Sequence, residues 1–302
     1  SLSTGARKSV ALRHWMEPVQ QAYAHPREWI GPERTGDRVA SRRFHAGVHD
    51  ASSGHFHPLK FCLGLSRAAA GAGVRLHENS PAYAVERGAR PVVRTGFGSC
   101  SCEFIVLAGN VYMGEYGDHV APEVASRIIP VGTYMVATEP MVQERADALM
   151  HGRPAASDTN FILDYFRLSA DHRLLFGGAD SLTGVAPPNL VERMRRSMVR
   201  VFPQLDDLSV THAWGGFVDI TLNKAPDFGR LGDNIYYVQG FSGHGVALAG
   251  MAGRLVADAI QGQAERFDLL ARIRHTHLPL PHALRTPALT LALWYYRLRD
   301  WW

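Results

Sequence analysis

Apolar positions recur along this chain mostly at two-residue spacing, interrupted by a few stretches at helical spacing. Residues 5–24 predict a helix, kinked at Pro18. Residues 25–42 are polar and broken by Pro26, Gly31, Pro32 and Gly36, which predicts a connection with a short turn or two. A strand is expected at 44–49. After a turn at 54–58, Pro58 suits the first turn of a helix running to Ala70, where its missing N–H is not needed. Gly71 and Gly73 end that helix. Short strands follow at 74–77, 83–87, 92–95 and 101–107, the last three as a β-meander. The run FIVLAGN places four large apolar residues before small ones, as in a buried strand running into a loop.

The second half reads the same way. Strands are expected at 128–138, 161–168, 174–177 and 211–218. A helix at 190–201 places Val191, Met194, Met198 and Val201 on one face. Residues 120–218 therefore predict an antiparallel sheet with a crossing helix. A strand at 234–239, a glycine loop at 240–245 and a helix at 246–262 follow. The tail 263–302 holds a Pro-rich stretch and the aromatic end LALWYYRLRDWW, expected to dock on the protein's own body.

Composition narrows the function. Hydrophobic residues make up 46% and charged residues 20% of the 302, enough for a sizeable core. The net charge is +4 with no basic stripe interleaved with aromatics, so nucleic acid is not an expected partner. No window approaches the roughly 20 apolar residues of a membrane helix. Three cysteines, Cys62, Cys100 and Cys102, argue against a disulfide framework and fit a reducing, cytoplasmic compartment. Cys100-x-Cys102 lacks a second pair, and no cysteine or carboxylate completes a set with His45, His49, His55 and His57, so no metal is expected.

The loop G-F-S-G-H-G at 240–245, between a strand and a helix, carries the most chemistry. A helix N-terminus offers unpaired N–H groups and the positive end of its dipole, and glycines let a ligand approach the backbone. The following helix is lined with small residues, among them Gly250 and Gly253, which implies close packing of some kind. Two readings stay open on these residues alone: a tight β–α turn without ligand, or an anion or cofactor site. The chain contains neither G-x-G-x-x-G nor G-x-x-x-x-G-K-[ST].

Set in register, the segments GHFHPLKFCLGLSRAAAGAGVRLHE, FIVLAGN, FILDYFRLSADHRLLFGG and THAWGGFVDITLNKAPDFGRLGDNIYYVQGFSGHGVALAGMAGRLVADAI resemble the D-amino-acid-oxidase-like family of FAD-dependent oxidoreductases. GHFHPL, LDYFRL, LFGG, GFSGHGV and YYRLRD are similar to its gamma-glutamylputrescine-oxidising branch. The resemblance implies an α/β (α+β) fold: part of a Rossmann-like FAD-binding domain plus an antiparallel substrate domain. It distributes them as 1–43 (helical part of the substrate domain), 44–119 (middle of the FAD domain), 120–218 (substrate sheet), 219–268 (end of the FAD domain) and 269–302 (tail). The implied cofactor is FAD, lined by Gly240, Phe241, Ser242, Gly243, His244, Gly245 and Val246, with Ala108 and Gly109 near its phosphate or ribityl part and Pro81 and Ala82 near its adenine.

The implied reaction is oxidation of an amine CH–NH bond by hydride transfer to the flavin, with O2 as acceptor. The implied substrate is gamma-glutamylputrescine or a related polyamine derivative. Tyr165, Trp214, His244 and His55 would line the substrate, and Arg167 would meet a remote carboxylate. Core packing for the aromatics and solvation for the charged residues are the alternatives. Amino-acid-oxidising relatives carry an arginine two residues past the second glycine of the Trp–Gly strand; Val218 stands there, which argues against an amino-acid or sarcosine-type oxidase. A third alternative is a non-catalytic remnant or interaction subunit. The family's opening β–α–β unit with G-x-G-x-x-G is not among these 302 residues, so FAD binding by them alone is expected to be weak. Oligomeric state is left open.

Overall fold

The computed structural model describes residues 1–115, 120–160, 162–181 and 187–276. Packing divides them into one unit of residues 1–56 and 132–216 and another containing residues 57–131 and 217–276.

The chain opens with β1 (Leu2–Ser3) and α1 (Ala6–Tyr23), which continues through Pro18 and buries Leu12 and Met16. β2 (Glu28–Ile30), α2 (Thr35–Arg38) and β3 (Ala46–His49) follow. The stretch expected to be only a connection thus supplies β2, because Trp29 pairs antiparallel with Val48 across the ladder. α3 (Pro58–Gly71) begins at its proline, and His57 Nδ1 accepts the Lys60 N–H at 3.4 Å. Residues 74–77 are not a strand. With Gly73 at φ 90°, the Val74 N–H folds back onto the Ala69 carbonyl at 3.0 Å, so Val74 closes the helix instead of joining a sheet.

β4 (Ala82–Glu86), β5 (Val92–Thr95) and β6 (Gly98–Ser101) form a meander whose first two strands match expectation and whose third lies ahead of the expected 101–107. Of the expected strand at 101–107 only β7 (Ile105–Leu107) forms, and it joins a different sheet, while β6 ends at Ser101. The break falls where the Cys102 N–H turns to the Pro91 carbonyl at 3.1 Å. α4 (Tyr112–Glu115), α5 (Pro122–Ala125), β8 (Ile129–Thr138), α6 (Gln143–Leu149) and β9 (Ala156–Ser157) come next. β10 (Tyr165–Leu168) is shorter than the expected 161–168; Phe161 lies outside the described residues. The Asp158 N–H bonds the Asp164 carbonyl at 2.9 Å and closes a loop ahead of it. β11 (Leu174–Ser181), α7 (Leu190–Val201) and β12 (Val210–Ile220) complete the antiparallel region. Residues 227–231 form a strand that the Pro-Asp turn signal hid, β13 (Asp227–Leu231), paired with β14 (Ile235–Gln239) across a turn at Gly232. α8 (Gly245–Ile260) and α9 (Glu265–Ala271) follow; residues 277–302, including the aromatic end, lie outside the described residues.

In the first unit the sheet order is β12-β8-β11-β10-β9. One face carries Tyr134, Val136, Phe166, Leu168, Leu174 and Phe176 into a core shared with Met194, Met198 and Val201 of α7. Each such side chain contributes about 1.5–3 kcal/mol on burial, so the sheet is fixed with this face inward.

In the second unit the sheet order is β13-β14-β7, with β7 parallel to β14. Ile105, Leu107, Ile235 and Tyr237 pack on one side with Met113 and Val124. Phe228, Tyr236 and Val238 pack on the other against Leu255 and Val256 of α8 and Phe267 of α9. Burial on both faces explains why all five residues of β14 are buried.

Candidate active site

β14 and β7 run parallel, so both strands end at the same edge of their sheet, Tyr237 level with Leu107. Loop 240–244 leaves β14 there, and Ala108 and Gly109 leave β7. Ligands of open α/β sheets bind at such carboxyl edges. Pro81 and Ala82 instead sit at the start of β4, in the separate meander.

The loop is held from below. Gly240 has φ 72°, and a Cβ there would overlap the Thr221 methyl, so the position requires glycine. Asp219, 3% exposed, accepts the N–H groups of both Gly240 and Phe241 on one carboxylate oxygen. Its backbone carbonyl accepts the Ser242 N–H at 2.8 Å. Burial raises the Asp219 pKa, while these N–H groups pull it back. Ser242 takes φ 50°, and its hydroxyl bonds the Gly240 carbonyl at 3.2 Å. His244 caps α8, with Nδ1 3.2 Å from the Ser242 carbonyl. The consequence is at the helix end: the N–H groups of Gly243, Gly245 and Val246 make no hydrogen bond to any described residue. Val246 is exposed, and a Cβ on Gly243 would meet nothing within 4 Å.

The first unit gathers a second group on one sheet face. Strand alternation turns Tyr165 and Arg167 of β10 away from the core that holds Phe166 and Leu168. Tyr165 pairs with Gly177, where any Cβ would collide with the Tyr165 ring, so that ring lies over β11 at a glycine. Gly215 faces inward, its Cβ position 2.7 Å from the buried Tyr134 ring, so Trp214 points to the outer face and is 46% exposed. His55 joins Arg167: Nδ1 lies 3.2 Å from Arg167 Nη1 and Nε2 3.0 Å from the Arg153 carbonyl. Tyr165, Arg167, Trp214 and His55 thus belong to one unit, and the loop residues to the other.

Sequence reasoning missed the buried carboxylates. Besides Asp219, Asp158 is 2% exposed, accepts the N–H groups of Asn160 and Asp164 at 3.1 and 3.2 Å, and is pushed up to about 7 by burial first and the Asp164 charge second. Asp227 accepts from Gln239 Nε2 at 3.0 Å beneath the glycine loop. The available signal for each was an acidic residue inside or next to a strand.

The family described as FAD dependent oxidoreductase (DAO) matches residues 2–259. The chain is 40% identical to gamma-glutamylputrescine oxidoreductase of Escherichia coli K12, over 87% of this chain and 61% of that protein. It is 34% identical to a probable oxidoreductase, OrdL, of Rhizobium meliloti, over 99% of this chain and 69% of the relative. It covers 58% of the related OrdL of Haemophilus influenzae, so it spans about three-fifths of the length of two of these curated relatives. Among solved structures it is similar to glycine oxidase from Geobacillus kaustophilus, with a TM-score of 0.78 at 19% identity, over 91% of this chain and 74% of that one. L-proline dehydrogenase from P. horikoshii gives a TM-score of 0.73 at 19% identity, over 87% and 72%.

Proposed function

The chain belongs to the DAO family of FAD-dependent oxidoreductases, and on that premise we propose that it takes part in oxidising the CH–NH bond of a gamma-glutamyl amine or related polyamine derivative. The observation that carries the reading is the set of unspent N–H groups of Gly243, Gly245 and Val246 where α8 meets the edge of the β14/β7 pair. They fit the cofactor chemically: a 16-residue helix presents its positive end and three donors, and a reduced flavin needs negative charge stabilised at an acceptor edge. Bound FAD would supply the hydride acceptor, with O2 as the final oxidant.

The protein's own groups have distinct parts in this reading. Asp219 and Gly240 hold the loop so that its donors stay aimed outward. His244 and Phe241 flank those donors. Tyr165 and Trp214 offer the aromatic walls that orient a substrate and exclude water. The 40% identity to a gamma-glutamylputrescine oxidoreductase and Val218 in place of an arginine both favour an amine over an α-amino acid.

Anaerobic mixing of the flavin-loaded protein with gamma-glutamylputrescine, putrescine, sarcosine and D-alanine tests the proposal. The expected result is loss of the oxidised-flavin absorbance with the gamma-glutamyl amine first. Fast bleaching by amino acids, with none by either polyamine, sinks it.

A further inference from the structure

Arg167 stands apart from the other partly covered arginines of its unit. Arg43, Arg145, Arg153 and Arg173 each face an aspartate, at 3.6, 2.5, 2.8 and 2.7 Å. Among the described residues no acidic group lies within ion-pair distance of Arg167. Burial alone lowers its pKa, with no carboxylate to compensate. Its hydrogen-bond partner among the described residues is His55, and the geometry fixes the state of that ring. Arginine can only donate, so His55 Nδ1 accepts from Nη1, and Nε2 carries the hydrogen given to the Arg153 carbonyl. The imidazole is therefore neutral. It orients the guanidinium without cancelling its charge, which leaves a half-covered cation with donors to spare on the sheet face that also carries Tyr165 and Trp214.

We propose that Arg167, oriented by His55, receives a carboxylate carried by the substrate away from its reacting amine. The proposal rests on the amine-oxidising reading of that face and specifies the substrate class. A single uncompensated guanidinium suits a monoanion, and its planar fork matches carboxylate geometry. Arg167 lies two residues from Tyr165, about 7 Å along the strand. An acid group held there is several bonds from a carbon held beside Tyr165, which fits a gamma-glutamyl amine and not an α-amino acid.

The test compares the flavin-loaded full protein with Arg167→Gln, Arg167→Lys, His55→Ala and His55→Gln. Glutarate, which has no amine to oxidise, is titrated calorimetrically, and kcat/KM is measured for gamma-glutamylputrescine and for putrescine. The expected result is glutarate binding by the parent protein and its loss in Arg167→Gln. That variant's preference for gamma-glutamylputrescine over putrescine should fall roughly 10- to 100-fold, the range for losing a charge-assisted hydrogen-bonded pair. Arg167→Lys recovers part of the loss. His55→Ala weakens glutarate binding, and His55→Gln, which keeps an acceptor, restores it. Unchanged glutarate binding and an unchanged substrate ratio in Arg167→Gln overturn the proposal. Glutarate binding that depends on Arg167, in a protein whose flavin no amine reduces, upholds the carboxylate site and overturns the amine reading instead.

Discussion

Asp158 carries a proton in the fold that the unfolded chain gives up. Its carboxyl titrates near 7 in the native unit against 3.8 for an unperturbed aspartate. Between those values the folded state binds the extra proton, so stability falls as pH rises from about 4 to 7, by an amount on the order of a few kcal/mol. Asp164, also raised by burial, acts in the same direction. Melting temperature is therefore expected to fall between pH 5 and pH 8, and Asp158→Asn should flatten the slope by raising the pH 8 value. An equally steep slope in the variant would show that other groups set it. Asp219 is the residue-scale determinant of the loop. Replacing it with alanine strands one buried and one half-buried N–H donor, at about 1–3 kcal/mol for the buried one. Amide exchange at 240–242 should accelerate and FAD affinity fall at least tenfold, both read by exchange mass spectrometry and flavin titration; unaltered exchange would remove Asp219 from that role. Tyr165 and Trp214 were legible as strand aromatics, but core packing stayed open for both until the close approaches at Gly177 and Gly215 fixed their face. Asp158 and Asp219 were not, because a carboxylate's burial depends on donors far along the chain, such as the Gly240 N–H, 21 residues away.

At the scale of elements, legibility followed whether a segment's signal was local. α7 and the proline start of α3 match their sequence expectations because propensity and periodicity agree there. β13 was hidden because its partner β14, not its own composition, makes it a strand. β6 was hidden because its Gly-Ser-Cys-Ser run carries no apolar signal and pairing with β5 makes it a strand, while the apolar run after it belongs to β7 in another sheet. α8 keeps a local anomaly that its surroundings in the second unit do not resolve. A Cβ on Gly250 or Gly253 would meet nothing within 4 Å, so no described residue requires glycine at either place. Gly253→Ala is expected to stabilise the cofactor-free protein by about 0.5–1 kcal/mol through helix propensity and a less flexible unfolded chain. If these glycines mark the close approach of FAD, the same change lowers FAD affinity. A melt and a flavin titration on one variant separate the effects, and a rise in stability with unaltered affinity would assign the glycines no cofactor role.

For the molecule as a whole, family membership was readable because motifs from Gly54 to Ile260 fall in order, within the matched stretch 2–259 for nearly all of that length, whereas the glycine loop alone left a bare turn as an equal reading. The arrangement of apolar surface was not readable, since periodicity marks an apolar face without saying what covers it. α3 shows this: it is a 14-residue helix without a single buried residue, and its Leu59, Leu63 and Leu65 are exposed. Val106 on β7 and Val246 and Met251 on α8, all in the same unit, are exposed as well. Soluble folds rarely leave this much apolar area bare without a binding role. Because these side chains bury little against the described chain, charged substitutions such as Leu59→Glu and Leu65→Glu should change the melting of the 302-residue protein by no more than about 0.5 kcal/mol, the usual range for surface positions. A core leucine such as Leu174 should by contrast cost about 2–5 kcal/mol on truncation to alanine. A hydrophobic dye should bind the second unit, and Met251→Glu should reduce the signal. Adding FAD should quench it too, if the cofactor covers the α8 end of this surface. A large destabilisation by Leu59→Glu would instead place α3 in a packed core, and the exposed face would then have no part in binding.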